Sequence, residues 1–176
     1  MIYGKLGVLV IIGTLLLSAC TEEKNEDKLS VKEEVIDDPP SVELTLFELS
    51  SKEKEVYNNF QKDFNLEHLS GLDPVSVAKL YVQAGFDKNY DVKYALYTDR
   101  EEYVLWSKEE DESIPESDRG SKEQYIKQFR NIDKGTFIQT SDDEGYIEYD
   151  TGEGTMGFKM IKNADGIWQV SFLPIQ

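Results

Sequence analysis

The sequence predicts an α+β domain with its helices first and an antiparallel sheet at its C-terminal end. Up to Gly135, apolar residues recur at helical spacing behind residues that cap helices; after it they alternate along short runs. The links between those last runs are short and rich in Gly, Asp and Asn, which suits hairpins and leaves no room for a crossover.

Each element has its own signal. Ser50-Ser51-Lys52-Glu53 has capping-box spacing, and Val56, Tyr57, Phe60 and Phe64 follow on one helical stripe. Asp73-Pro74 supplies an N-cap and a proline for the first helical position, ahead of Val77, Leu80, Tyr81 and Ala84 at i, i+3, i+4 and i+7. Asp91 is the expected cap of a short third helix carrying Tyr94, Ala95, Leu96 and Tyr97, with Glu101 to Trp106 continuing the helical layer after a break. Lys108 to Asp118, acidic and holding Pro115, is expected as a loop. Ser121-Lys122-Glu123-Gln124 repeats the capping box before Tyr125, Phe129 and Ile132, and Gly135 is the expected end of that helix. Strands are predicted at 136–141, 146–151, 155–162 and 167–173. In the last two, Met156, Phe158 and Met160, and Trp168, Val170 and Phe172, mark one face by alternation; Gln169 and Ser171 mark the other. The helices are expected to cover one face of this sheet.

The N-terminus has a different character. Lys5 is followed by the apolar run Leu6 to Leu17, which is the length of a secretory h-region and short of the ~20 residues a spanning helix needs. It ends at Leu17-Ser18-Ala19-Cys20, which resembles the lipobox of bacterial lipoproteins. That resemblance implies cleavage of residues 1–19 and lipidation of Cys20, tethering the mature protein to the membrane without spanning it. No second cysteine exists, so a disulfide within the chain is impossible and an exported domain must be held by its own core. Residues 20–42, with Glu22-Glu23, Glu33-Glu34, Asp37-Asp38 and Pro39-Pro40, are expected to form an acidic disordered tether, and 43–176 a single domain.

The chain has 19 Lys and Arg against 35 Asp and Glu, a net charge of −16; removing residues 1–19 takes away Lys5 alone. So acidic a surface repels phosphate backbones and disfavours nucleic-acid partners.

Asp73-Pro74-Val75-Ser76-Val77-Ala78-Lys79-Leu80-Tyr81-Val82, then Gly85-Phe86-Asp87-Lys88-Asn89-Tyr90-Asp91 and Tyr94-Ala95-Leu96-Tyr97, resemble the opening of an NTF2-like domain, over roughly residues 72 to 173. The resemblance implies a cone of helices on a bent antiparallel sheet, of a kind frequent on envelope lipoproteins of Gram-positive bacteria. It implies no single activity, because this fold hosts enzymes, binding modules and scaffolds. In such a cone Tyr94, Tyr97, Trp106 and Tyr125, with Tyr81 and Trp168, are candidates to line a ligand pocket; the alternative is that they fill a tyrosine-rich core.

Groups for catalysis are scarce. The only histidine, His68, lies between the first two helices, and the only cysteine is the lipidation site, which excludes Cys-His chemistry and most zinc sites. Enzymes of the NTF2-like superfamily use a carboxylate base inside the cone, for which Asp99 and Asp150 are the candidates; a helix cap and a solvated strand residue are the plainer roles. The acidic runs Glu109-Glu110-Asp111-Glu112 with Glu116 and Asp118, and Asp142-Asp143-Glu144, lack the alternating oxygen pattern and central glycine of a calcium loop. No catalytic residue, metal or cofactor is therefore assigned. The expected product is a lipid-anchored protein on the extracytoplasmic face of the cell membrane, a non-catalytic module binding a small ligand or an envelope protein. The alternative is a small enzyme with a carboxylate base in the cone.

Overall fold

Helix α1, Ser51–Asp63, starts where the capping box places it: Glu53 N donates to Ser50 Oγ at 3.3 Å, and Ser50 N donates to Glu53 Oε2 at 2.7 Å. The computed structural model describes residues 46–176. The signal expected at 1–19, Cys20 and the tether at 20–42 lie outside the described residues. Tyr57 and Phe60 of α1 are buried as the stripe predicts, whereas Phe64 is not. It is the left-handed C-cap (φ 56°), its N–H closing on Phe60 O, and that backbone turn swings the ring outward.

Helix α2, Pro74–Phe86, is capped by Asp73, which accepts from Ser76 N at 2.9 Å. Val77, Leu80, Tyr81 and Ala84 are buried, and so are Ala78, Val82 and Phe86, because α2 is enclosed by α1, the later helices and the sheet. A buried ion pair, Lys79 Nζ to Glu53 Oε2 at 2.6 Å, ties it to α1. Helix α3 is Tyr90–Ala95; its cap is Asn89, not Asp91, which falls in the first turn where its charge suits the helix dipole.

Two helical expectations need correction. Glu101 to Trp106 does not continue the helical layer, since only Glu101–Tyr103 forms a single 3-10 turn. Lys108 to Asp118 is not a plain loop: α4, Lys108–Glu112, opens with a capping box between Ser107 and Glu110, and a 3-10 turn follows at Glu116–Asp118. Helix α5, Lys122–Phe129, has the predicted Ser121–Gln124 box, but it stops short of Gly135. Asn131 turns left-handed (φ 63°), and Ile132 is buried from a separate 3-10 turn, Ile132–Lys134, which Gly135 closes.

The C-terminal part is a four-stranded antiparallel sheet in chain order: β1 Thr136–Gln139, β2 Glu144–Asp150, β3 Thr155–Lys162 and β4 Trp168–Ile175. The β3–β4 turn is made by Asn163, whose Oδ1 accepts from Asp165 N and Ile167 N. Ile147, Phe158, Met160 and Val170 face the helices and are fully buried. Trp168 is only half-buried, at the end of that row, where its ring meets Phe137 at 4.9 Å. Phe137 fits there because position 145 has no Cβ; one would lie 2.4 Å from the Phe137 ring.

Gln169, on the other face, is buried and bridges the chain after α3: its Nε2 donates to Tyr97 O at 3.1 Å and its Oε1 accepts from Asp99 N at 3.4 Å. Tyr97 thereby runs parallel to β4 at Val170. Pairing of β3 with β4 is irregular: Phe158 lies opposite Ile175 but Met160 opposite Val170, and the surplus residues of β4 include Leu173 in the left-handed region (φ 51°).

Candidate functional site

The irregular stretch of β4 borders a hollow. A cleft of about 790 Å³ lies between the helices and the ends of β3 and β4. Its inner wall is Tyr81 from α2, Lys93 from α3, Tyr97, and Tyr125 and Phe129 from α5; Met156, Leu173 and Ile175 form the strand side. Tyr125 lies over Gly85 of α2, where a Cβ would come within 2.3 Å of the phenol oxygen. A bare backbone at that point is what lets the ring reach the cleft.

Four polar groups meet in this wall. The hydroxyls of Tyr81 and Tyr97 share a hydrogen bond of 2.7 Å. Lys93 Nζ donates to Tyr125 Oη at 2.7 Å and lies over the rings of Tyr81 and Tyr125, 5.1 and 5.4 Å from their centroids. Arg119 stands at the edge of this group and is held by Asp111: Nη1 to Asp111 Oδ2 is 3.0 Å, with both side chains about nine-tenths buried. Arg119 also donates to Ile114 O and stacks on Tyr90 at 4.2 Å.

Burial dominates the electrostatics. Loss of hydration pushes the Lys93 ammonium down to about 8, helped by Arg119 and opposed by Asp111. Loss of hydration also raises the phenols: Tyr97 to about 12, Tyr81 and Tyr125 well above their ordinary value. An amine titrating at about 8 when folded and 10.5 when unfolded leaves the unfolded chain with more bound protons between those values. Stability contributed by this group therefore rises with pH across that window, by at most ~3 kcal/mol. The phenols have the opposite sign, so their contribution is lost above pH 10. Thermal melts in pH steps are expected to show a rise from pH 8 to 10 that Lys93→Met lacks, and a fall above pH 10 in both. Superimposable profiles for parent and variant would refute the dehydrated amine.

Of the residues the sequence nominates, Tyr97 and Tyr125 line the cleft; Tyr94 and Trp106 do not. Tyr94 donates to Trp106 O at 3.1 Å and borders a separate hollow of about 390 Å³. Trp106 packs edge-on against Tyr97 and Phe172, and its Nε1 donates to Asp111 Oδ1 at 3.3 Å. Both belong to the aromatic stack behind Tyr97.

The candidate carboxylates lie elsewhere. Asp99 borders the same smaller hollow as Tyr94, and Asp150 accepts from Gly152 N in the β2–β3 turn. His68 sits in the 3-10 turn Leu66–Leu69 and meets Asp63 at 3.1 Å. In the acidic runs Asp111 turns inward to Arg119 and Asp143 pairs with Arg100. Among the described residues no group of three or more His, Cys, Asp or Glu is arranged to hold a metal ion.

Lys93, Asp111 and Arg119 were not nominated by the sequence. Arg119 left a faint signal, as a cation directly after an acidic run. Lys93 left none, since a lysine beside Tyr94 on a short helix looks like any solvated one.

Compared with protein-family models, with curated proteins and with solved structures, the chain matches none. Among the described residues no helix is long and apolar enough to cross a membrane.

Proposed function

We propose that this chain is a lipoprotein anchored through Cys20 on the extracytoplasmic face of a bacterial cell membrane, and that its NTF2-like domain is a non-catalytic binding module. The order of helices before an antiparallel sheet, with a cleft between the two layers, supports the cone architecture. One observation carries the binding role: the cleft is aromatic, and no buried carboxylate without a partner lines it among the described residues. Its acids, Asp118 and Glu153, are exposed at the rim, and Glu153 pairs with Lys127 at 2.9 Å. The enzyme alternative rests on a carboxylate base, which needs a carboxylate raised by burial and aimed at the substrate, so that alternative gains nothing from this geometry.

Two measurements test the proposal. Cys20→Ala is expected to leave membranes or keep its signal uncleaved; a processed variant that fractionates with membranes like the parent would end the lipoprotein assignment. Native mass spectrometry of the chain purified from its membranes should show a bound small molecule that Met156→Trp, which fills the cleft, excludes. Identical spectra without an added mass would leave the binding role without support.

A further inference from the structure

We propose that the cleft takes a small amphipathic monoanion, its anionic head seated against Lys93 Nζ and the Tyr125 hydroxyl, its apolar body along Phe129, Met156, Leu173 and Ile175. This names the ligand class for the binding role proposed above, and it rests on that role.

Lys93 has three N–H donors, of which one goes to Tyr125 Oη. Having accepted that bond, Tyr125 Oη keeps its own proton, which has no acceptor among the described residues. In the Tyr81–Tyr97 pair one hydroxyl proton is shared and the other is left over. The wall thus presents surplus donors and one positive charge. Lys93 forms no ion pair among the described residues, because the nearby Asp111 is committed to Arg119 and the rim's Glu153 to Lys127. A half-buried cation without a counter-ion is costly, and an anion entering the cleft reduces that cost. A cationic ligand would add to it.

Charge and shape narrow the class further. One unpaired cation balances one negative charge, and the chain's net −16, with Asp118 and Glu153 at the rim, works against polyanions. The apolar side is marked by Leu173, a non-glycine residue held left-handed and 66% exposed at the mouth of the cleft. Such a conformation is strained and presents an apolar group to solvent, which an apolar ligand body would cover.

The test compares two water-soluble probes of one shape, 3-phenylpropanoate and its neutral amide, titrated calorimetrically into the full chain at pH 7. The carboxylate is expected to bind at least about tenfold more tightly, the order of one charge-assisted hydrogen bond. Lys93→Met should erase that preference and keep the amide's affinity, while Lys93→Arg should retain it. Should the Met variant fail to fold, Tyr125→Phe supplies the second reading, with the preference reduced severalfold. Equal affinities in the parent, or a preference that survives Lys93→Met, would overturn the anion assignment and leave the cleft a binding site. If neither probe binds, this ligand class is wrong, and the co-purification experiment decides separately whether the cleft binds anything.

Discussion

Phe158→Ala is expected to lower the unfolding free energy by about 3–5 kcal/mol, the largest effect of any single truncation in the sheet. Its ring is fully buried in the middle of β3, between Ile147 on β2 and Ile175 on β4. It meets Tyr81 of α2 at 5.6 Å and Phe129 of α5 at 6.1 Å, so it is where both helices close on the sheet. Removing it opens a cavity that two helices and two neighbouring strands would have to move to fill. Urea unfolding followed by circular dichroism measures this, and a loss below about 1.5 kcal/mol would mean that the layers collapse around the gap. Trp168→Ala, at a residue the alternation marks equally as core, is expected to cost clearly less, because Trp168 is half-buried at the end of the sheet.

Breaking the Asp111–Arg119 pair is expected to cost about as much, 3–5 kcal/mol for Asp111→Ala, which strands a buried guanidinium. The same change takes the acceptor from Trp106 Nε1, which stands behind Tyr97 in the cleft wall. Arg119 also ties down the segment between α4 and α5 through Ile114 O, so this segment should lose amide protection first. The double variant Asp111→Leu with Arg119→Met, which removes both charges, should recover most of the loss. Equilibrium unfolding of the single and double variants gives the answer: a single variant costing under about 1 kcal/mol would make the pair a minor contact. A double variant no more stable than the single would move the cost to packing.

Much of this protein is decided by interactions short enough to lie within a few residues. Ser50, Asp73 and Ser121 cap their helices by bonds to a backbone N–H three residues ahead, and Asn163 makes its turn with its own near neighbours. Such bonds form wherever the local spacing allows, which is why the element order, the α+β class and the antiparallel sheet are legible in the sequence. Helix α4 had the same signal in Ser107 and Glu110, hidden because a highly charged run without an apolar stripe resembles a solvated loop.

The cleft is another matter. Tyr94, Tyr97 and Trp106 are chemically alike to a pattern, and which of them faces the cleft depends on Tyr97 aligning with Val170, far along the chain on β4. Asp111 looks like its acidic neighbours until Arg119 folds back on it. Lys93 meets Tyr125 because Gly85 lets that ring lie beside it, and it forms no ion pair among the described residues because Asp111 is held by Arg119. Leu173 is turned outward by the shifted β3–β4 register, in which no single residue announces a bulge. Caps, turns and alternation set the elements and their order. Which polar groups are buried, and which of those find a partner, follows from the packing of segments that the local sequence does not relate.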